Sequence, residues 1–119
     1  MDKILMNDMI FYAYHGVLEE EKKLGQKFII SIELMLELKT AGLSDDVSDT
    51  VSYADVYEDV KKIICGDKFN LIEKLAEEIS SVVLTKYSLV REIKIKVLKP
   101  EAPVNGIYDS FGVETCRNR

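Results

Sequence analysis

Hydrophobic and polar residues alternate in the first third of the chain, as in strands that bury one face. In residues 28–38 the apolar residues share even numbers: Phe28, Ile30, Ile32, Leu34, Leu36 and Leu38. Residues 4–14 also alternate, but the apolar parity changes between Met6 and Met9, across Asn7 and Asp8. We therefore predict two strands, the first interrupted by a β-bulge and joined to the second by the loop from Gly16 to Gly25.

The same alternation returns near the C-terminus. A third strand is marked by Ile93, Ile95 and Val97, and a fourth by Phe111, Val113 and Thr115. Between the two strand pairs the apolar spacing becomes helical. One helical stripe consists of Val56, Val60, Ile63 and Ile64, and the other of Leu75, Ile79, Val82 and Val83.

Polar residues at the start of each stripe predict where the two helices begin. Ser52 precedes the first helix with Asp55 three residues later, and this helix ends near Gly66. Asn70 precedes the second with Glu73 three residues later. The predicted order is β-β-α-α-β-β, an α+β fold with a four-stranded antiparallel sheet and two helices on one face.

The length of 119 residues predicts a single domain, residues 1–119. Its long outer strands would leave unpaired edges, and the sheet face away from the helices is predicted to be polar and charged. Exposed edges tend to pair with other strands, and a polar sheet face suits a wet lumen. We therefore expect a ring-like homo-oligomer closed by sheet extension.

Composition excludes several classes of function. Sixteen Lys and Arg against twenty-one Asp and Glu give a net charge of -5, which disfavours binding to nucleic acid. There is no apolar run of about 18 residues and no signal peptide, so we expect a cytoplasmic protein without a membrane partner. Two distant cysteines, Cys65 and Cys116, and the one histidine, His15, predict neither a disulfide nor a metal site.

Lys99 is the most unusual candidate for chemistry. It ends the third strand with the same parity as Ile93, Ile95 and Val97, so its side chain is expected on the buried side. Burial would favour the neutral amine and make it a proton acceptor near neutral pH. The alternative is a strand-end lysine that reaches water.

Other candidates also have structural interpretations. Tyr53 starts a helix, where its ring can stack on a planar ligand or join the core. Glu73 can bind paired N–H donors of a ligand, but it also fits a capping box with Asn70. His15 follows a strand end, where a packed structural histidine is the favoured interpretation.

Five segments in order resemble the dihydroneopterin aldolase family over essentially the whole chain. They are residues 11–16 (FYAYHG) followed by Glu21, residues 25–28 (GQKF), 49–55 (DTVSYAD), 70–77 (NLIEKLAE) and 97–100 (VLKP). The resemblance implies the tunnelling fold, in which four subunits close a barrel and two rings stack into an octamer. It also implies an active site at the subunit interface.

The resemblance implies a retro-aldol cleavage in folate biosynthesis. The substrate 7,8-dihydroneopterin would give 6-hydroxymethyl-7,8-dihydropterin and glycolaldehyde, without metal, cofactor or Schiff base, and with C2′ epimerisation as a possible side activity. The implied catalytic residues are Lys99 as general acid/base, Tyr53 as proton shuttle and Glu21 on the substrate side chain.

The implied pterin pocket has an anchor and a lining. Glu73 would hold the amino and ring N–H edge, beside the backbone of Ile72 and next to Leu71. Val17, Leu18, Val51 and Tyr53 would come from the neighbouring subunit. The alternatives are an epimerase of dihydroneopterin triphosphate, which uses a similar residue set, and a non-catalytic pterin-binding ring.

Overall fold

A four-stranded antiparallel sheet forms one layer of the protein; the structure, a computed structural model, describes residues 1–119. Its strands are β1 (Asp2–Ala13), β2 (Gln26–Leu36), β3 (Glu92–Lys99) and β4 (Phe111–Asn118). The spatial order is β1-β2-β3-β4, so β1 and β4 are the two edges. The predicted fold class and the unpaired outer strands are confirmed.

The bulge in β1 is also confirmed. The register against β2 shifts between Met6 and Met9, and Asp8 has a positive φ of 50°. The Asp8 backbone N–H donates to the Ser31 hydroxyl at 2.9 Å, which replaces a ladder hydrogen bond lost at the bulge. Because of the shift, Met6 and Met9 both face the helices despite their different parity.

Two long helices cover one face of the sheet: α3 (Tyr53–Ile64) and α4 (Ile72–Lys86). The Ser52 hydroxyl accepts from the Asp55 N–H at 3.4 Å, as predicted for the start of α3. The predicted cap of α4 is wrong. Leu71 occupies the N-cap position, and its apolar side chain cannot cap the helix. The Asn70 carboxamide oxygen accepts from Lys22 Nζ at 2.5 Å.

Three short elements were not predicted. They are α1 (Glu19–Leu24), α2 (Lys39–Ser44) and a 3₁₀ turn (Val47–Asp49). Six residues are too few to display an apolar stripe, so periodicity does not reveal such helices. The second strand ends at Leu36 rather than Leu38, since Leu38 leads into α2. None of the helices has the length and apolar content needed to cross a bilayer.

The hydrophobic core lies between the sheet and the two long helices. Strand β2 contributes the fully buried Phe28, Ile30, Ile32, Leu34 and Leu36. The helices contribute Val56, Val60, Ile64, Leu75, Ala76, Ile79 and Val83. This packing orients every even-numbered residue of β2 towards the helices, including Gln26 at its start.

The opposite face of the sheet is only partly polar. Its middle carries Ser31, Glu33, Lys94 and Lys96, in keeping with the prediction. Near the C-terminal end of β1, however, Ile10 is 62% exposed and Tyr12 is 57% exposed. These two residues pair with Ile29 and Lys27 of β2. The expectation of a polar face is therefore correct for its centre and wrong for this end.

Candidate active site

Lys99 and Glu21 form a largely buried ion pair at one end of the sheet. Lys99 Nζ lies 2.5 Å from Glu21 Oε2, and the two side chains are 14% and 8% exposed. Lys99 is the last residue of β3 and Glu21 lies in α1, so the pair joins two elements far apart in sequence. Lys99 lies on the helix side, as its parity in β3 predicts, but its carboxylate partner was not predicted.

Two further donors hold the Glu21 carboxylate in place. Gln26 Nε2 donates to Oε2 at 2.8 Å, and the Leu18 N–H donates to Oε1 at 3.3 Å. Burial by itself would raise the pKa of Glu21, but the hydrogen bonds from Lys99, Gln26 and Leu18 outweigh it and lower the pKa. Glu21 is therefore a carboxylate at neutral pH, directed towards the Lys99 ammonium.

Gln26 was missed by sequence reasoning. It is 6% exposed, and its Oε1 atom is buried without a hydrogen-bond partner in the chain. The signal was available, since Gln26 is a polar residue on the buried parity of β2, as Lys99 is on that of β3. The same parity test that selected Lys99 would have selected it.

Glycine at position 16 lets the loop after β1 approach Glu21. A Cβ added to Gly16 would lie 2.3 Å from the Glu21 carboxyl carbon, and φ is +155°. A side chain there would displace the carboxylate and strain the backbone. Gly16 also donates its N–H to the Phe69 carbonyl at 2.9 Å, which attaches this loop to the segment before α4.

His15 is a buried structural residue, as its favoured interpretation predicted. Its Nδ1 accepts from the Phe69 N–H at 3.0 Å, so Nε2 carries the proton and donates to the Ile64 carbonyl at 2.7 Å. Burial lowers the pKa of His15, and the charge of Lys99 lowers it further. The neutral ring thus connects the end of α3 to the segment that leads to Leu71.

The residues predicted to hold the pterin follow directly on this segment. Leu71 is half exposed at the N-cap of α4, and Ile72 packs partly against the core. Glu73 lies in the first turn of α4, is exposed and has no salt bridge within the chain. The capping interpretation of Glu73 fails with Asn70, so its carboxylate is not committed to the helix start.

Tyr53 and Val51 lie elsewhere in the chain. Tyr53 begins α3 and Ile64, which contacts His15, ends it, so about 16 Å of helix separates them. Tyr53 borders a groove at the β1 edge, whereas Lys99 is on β3, about 10 Å away in strand spacings alone. Val51 is 5% exposed in the core, which leaves only its backbone for a ligand.

The resemblance implies that Val17 and Leu18, like Tyr53, come from a neighbouring subunit. In the structure both are exposed, and the Leu18 backbone already contacts the Glu21 carboxylate of its own chain. The Leu18 backbone therefore lies beside the Lys99–Glu21 pair of its own chain, and the contact of Val17 and Leu18 with a pterin stays a prediction. One chain brings together Lys99, Glu21, Gln26 and the loop of Leu18; it does not bring Tyr53 to them.

The arrangement suits proton transfer more than metal binding. No group of three or more His, Cys, Asp or Glu side chains is placed to hold a metal ion. A buried ammonium beside a carboxylate can give and accept protons over short distances. An exposed acidic residue next to unpaired backbone N–H groups at a helix start can bind a ligand with several N–H donors and acceptors.

Comparison with known proteins identifies the family. The dihydroneopterin aldolase family model matches residues 4–116. The dihydroneopterin aldolase of Staphylococcus epidermidis is 47% identical over 116 residues, covering 98% of this chain and 96% of its own. That of Bacillus subtilis is 42% identical over 119 residues, covering 100% and 99%.

A solved structure agrees with these relatives. The crystal structure of Escherichia coli dihydroneopterin aldolase in complex with neopterin has a TM-score of 0.91 at 31% identity, and the match covers 99% of this chain and 100% of that one. The chain belongs to the dihydroneopterin aldolase family, and it is an aldolase of folate biosynthesis.

Proposed function

We propose that residues 1–119 act as one domain that cleaves 7,8-dihydroneopterin into 6-hydroxymethyl-7,8-dihydropterin and glycolaldehyde. The observation that carries this proposal is the buried Lys99–Glu21 pair at the end of the sheet. The dihydropterin ring contains a C6=N5 imine conjugated to the side-chain carbon C1′. This imine accepts the electrons of the breaking bond, so the protein has to move protons and hold the ring.

In the proposed reaction the 2′-hydroxyl passes its proton through Tyr53 to Lys99 and its bound water, and the C1′–C2′ bond breaks. C2′ leaves as the aldehyde carbon of glycolaldehyde, and the bonding electrons pass through C1′ into the C6=N5 imine. Lys99, acting through a bound water, returns a proton to C1′ and restores the imine. Glu21 binds the side-chain hydroxyls, and Gln26 keeps its carboxylate in position. Re-addition of the held aldehyde on its other face gives the C2′ epimer as a side product.

The pterin ring is anchored by the start of α4. Glu73 accepts hydrogen bonds from the 2-amino group and the ring N–H, with the backbone of Ile72 and the side chain of Leu71 beside it. Support comes from the exposed, unpaired state of Glu73 and from the neopterin bound to the Escherichia coli relative. His15 and Gly16 fix the distance between this anchor and the acid/base pair.

Tyr53 and the backbone of Val51 reach the site from a neighbouring subunit of a ring-like homo-oligomer, a tetramer or an octamer. Two observations support this arrangement. Tyr53 lies too far from Lys99 to act within one chain, and both sheet edges are unpaired. Pairing β4 of one chain with β1 of the next would join the two halves of the site. A stable monomer at micromolar concentration in sedimentation velocity would contradict the ring.

The activity is tested by incubating the protein with 7,8-dihydroneopterin and measuring glycolaldehyde, 6-hydroxymethyl-7,8-dihydropterin and the C2′ epimer. We expect glycolaldehyde as the main product, at the same rate with and without a chelator. A parallel incubation with dihydroneopterin triphosphate tests the epimerase alternative. Epimer without glycolaldehyde from either substrate would contradict the proposed cleavage, and no turnover with intact pterin binding would favour a silent binding ring.

The residue roles are tested by substitution. Lys99→Ala should lower turnover by about 10²–10⁴-fold with little change in pterin affinity, as expected for loss of a general acid/base. Lys96→Ala, on the same strand but the opposite sheet face, is the matched control and should keep its activity. Glu73→Ala should instead abolish pterin binding, measured by titration calorimetry. The reverse ordering of the two effects would refute the assignment.

A further inference from the structure

The loop between β3 and β4 holds an isoleucine fully in water. Ile107 is 105% exposed, the largest value among the exposed apolar side chains. The loop is not loose, because the Tyr108 hydroxyl contacts the carbonyls of Ala102 at 2.6 Å and Val104 at 2.7 Å. The Tyr108 ring also packs on Phe111, with ring centroids 4.6 Å apart. An ordered loop therefore presents Ile107 outward next to a half-exposed Phe111.

An open apolar groove lies at the opposite edge of the sheet, between β1 and the start of α3. It has a volume of about 420 Å³. Its apolar lining consists of Leu5, Met6, Met9, Tyr53, Ala54 and Tyr57. Nothing in the same chain fills this groove, although it borders Tyr53, which the proposed reaction needs beside Lys99.

The strand register connects the groove to the loop. Phe111 is the direct partner of Lys99 in the β3–β4 ladder, so both side chains point to the helix side. Phe111 also lies one strand spacing, about 4.8 Å, closer to the β4 edge than Lys99 does. A Tyr53 that approaches Lys99 from another chain has to cross this edge, and its groove then lies against Phe111 and the loop of Ile107.

We infer that Ile107 and Phe111 of one copy pack into the groove formed by Leu5, Met9, Tyr53 and Ala54 of a second copy. This inference rests on the proposed function, because it assumes that the second copy supplies Tyr53 to Lys99. The contact buries two exposed apolar side chains and fixes the Tyr53 ring at the mouth of the site. The loop thus serves as the specific docking element that completes each active site.

A disulfide cross-link tests the contact directly. In a Cys65→Ser/Cys116→Ser background, which removes both native thiols, Ile107→Cys/Ala54→Cys should give covalent dimers and larger species on mild oxidation. Ile107→Cys/Leu43→Cys is the matched control, because Leu43 is exposed, as Ala54 is, but lies on α2. Equal cross-linking of the two variants, or none in either, would overturn the docking contact.

The second measurement is the dependence of activity on protein concentration. Ile107→Asp should raise the concentration of half-maximal specific activity by tenfold or more, because the loop no longer docks. Leu43→Asp should leave this concentration unchanged. If Ile107→Asp behaves like Leu43→Asp, the inference is wrong.

A mixing experiment separates this inference from the proposed function. Chains with Lys99→Ala and chains with Tyr53→Ala are each inactive, but a randomly assembled mixture should regain about a quarter of the parent activity if neighbours share sites. No recovery would refute the shared site itself. Recovery together with a failed cross-link or an unaffected Ile107→Asp variant would refute only the docking of Ile107.

Discussion

Replacing Lys99 with methionine isolates the electrostatic part of the buried pair. Methionine keeps much of the aliphatic stem and removes the ammonium that contacts Glu21 at 2.5 Å. The Glu21 carboxylate, 8% exposed, then keeps only the hydrogen bonds from Gln26 and the Leu18 N–H. Lys99→Met therefore leaves a mostly buried negative charge without its counter-ion.

Removing one partner of a buried ion pair typically costs about 3–5 kcal/mol. Lys99 is 14% exposed, so water partly screens the pair, and two donors remain on Glu21. We therefore expect Lys99→Met to lower the free energy of unfolding by about 2–3 kcal/mol at pH 7.

The pH dependence has a definite sign. In the parent protein the pKa of Glu21 is lowered from 4.5, so its stabilisation is present above pH 4.5 and is lost as the pH falls. In Lys99→Met burial is less opposed and should raise this pKa, so the variant loses stability as the pH rises above about 4.5. The deficit relative to the parent should thus be largest near pH 7 and shrink towards pH 4.

Urea unfolding at fixed protein concentration, at pH 7 and at pH 4.5, measures this deficit. Lys96→Met serves as the control, since Lys96 lies on the opposite face of the sheet. A deficit below about 1 kcal/mol at pH 7, or one that does not shrink in acid, would refute the buried-pair reasoning.

Two further predictions concern the residues around the Lys99–Glu21 pair, and a third concerns a contact away from it. The pKa of His15 is lowered from 6.5, so the parent protein is fully stabilised above pH 6.5 and loses stability below it. His15→Gln should remove this pH-dependent loss of stability. Thermal melts of the parent and the variant at pH 7.5 and 5.5 measure the difference. Gly16→Ala should lower both activity and stability, the latter by about 1–3 kcal/mol, whereas Gly106→Ala, with its nearest atom 3.8 Å away, should do neither. Tyr87→Phe should cost about 1–2 kcal/mol in urea unfolding and leave activity intact, because the Tyr87 hydroxyl contacts Asp59 far from the site.

Strong periodicity made the framework predictable. Ser52 was correctly identified as a helix cap, and the bulge at Asp8 was visible as a change of parity. Asn70 is not the cap because the helix begins one residue later than predicted, with Leu71 at the N-cap position. Lys22 of α1 occupies the Asn70 carboxamide, and no local pattern in the sequence places residue 22 beside residue 70.

The site itself was predictable only in parts. Parity selected Lys99 and would have selected Gln26, since both are polar residues at buried positions of strand ends. Glu21 could not be chosen from Glu19, Glu20 and Glu21 by spacing, and the resemblance supplied that choice. Its partners follow from the path of α1 across the end of the sheet, which is a tertiary property.

The Lys99–Glu21 pair is better explained by chemistry than by stability. Well-packed neutral residues often stabilise a protein as much as a buried ion pair does. The double variant Lys99→Met/Glu21→Gln should therefore recover most of the stability that Lys99→Met loses, because no unpaired charge remains. It should nevertheless stay inactive in the glycolaldehyde assay. A double variant as unstable as the single one would mean that the pair holds α1 to the sheet, and the case for its retention as a proton-transfer device would lose its energetic support.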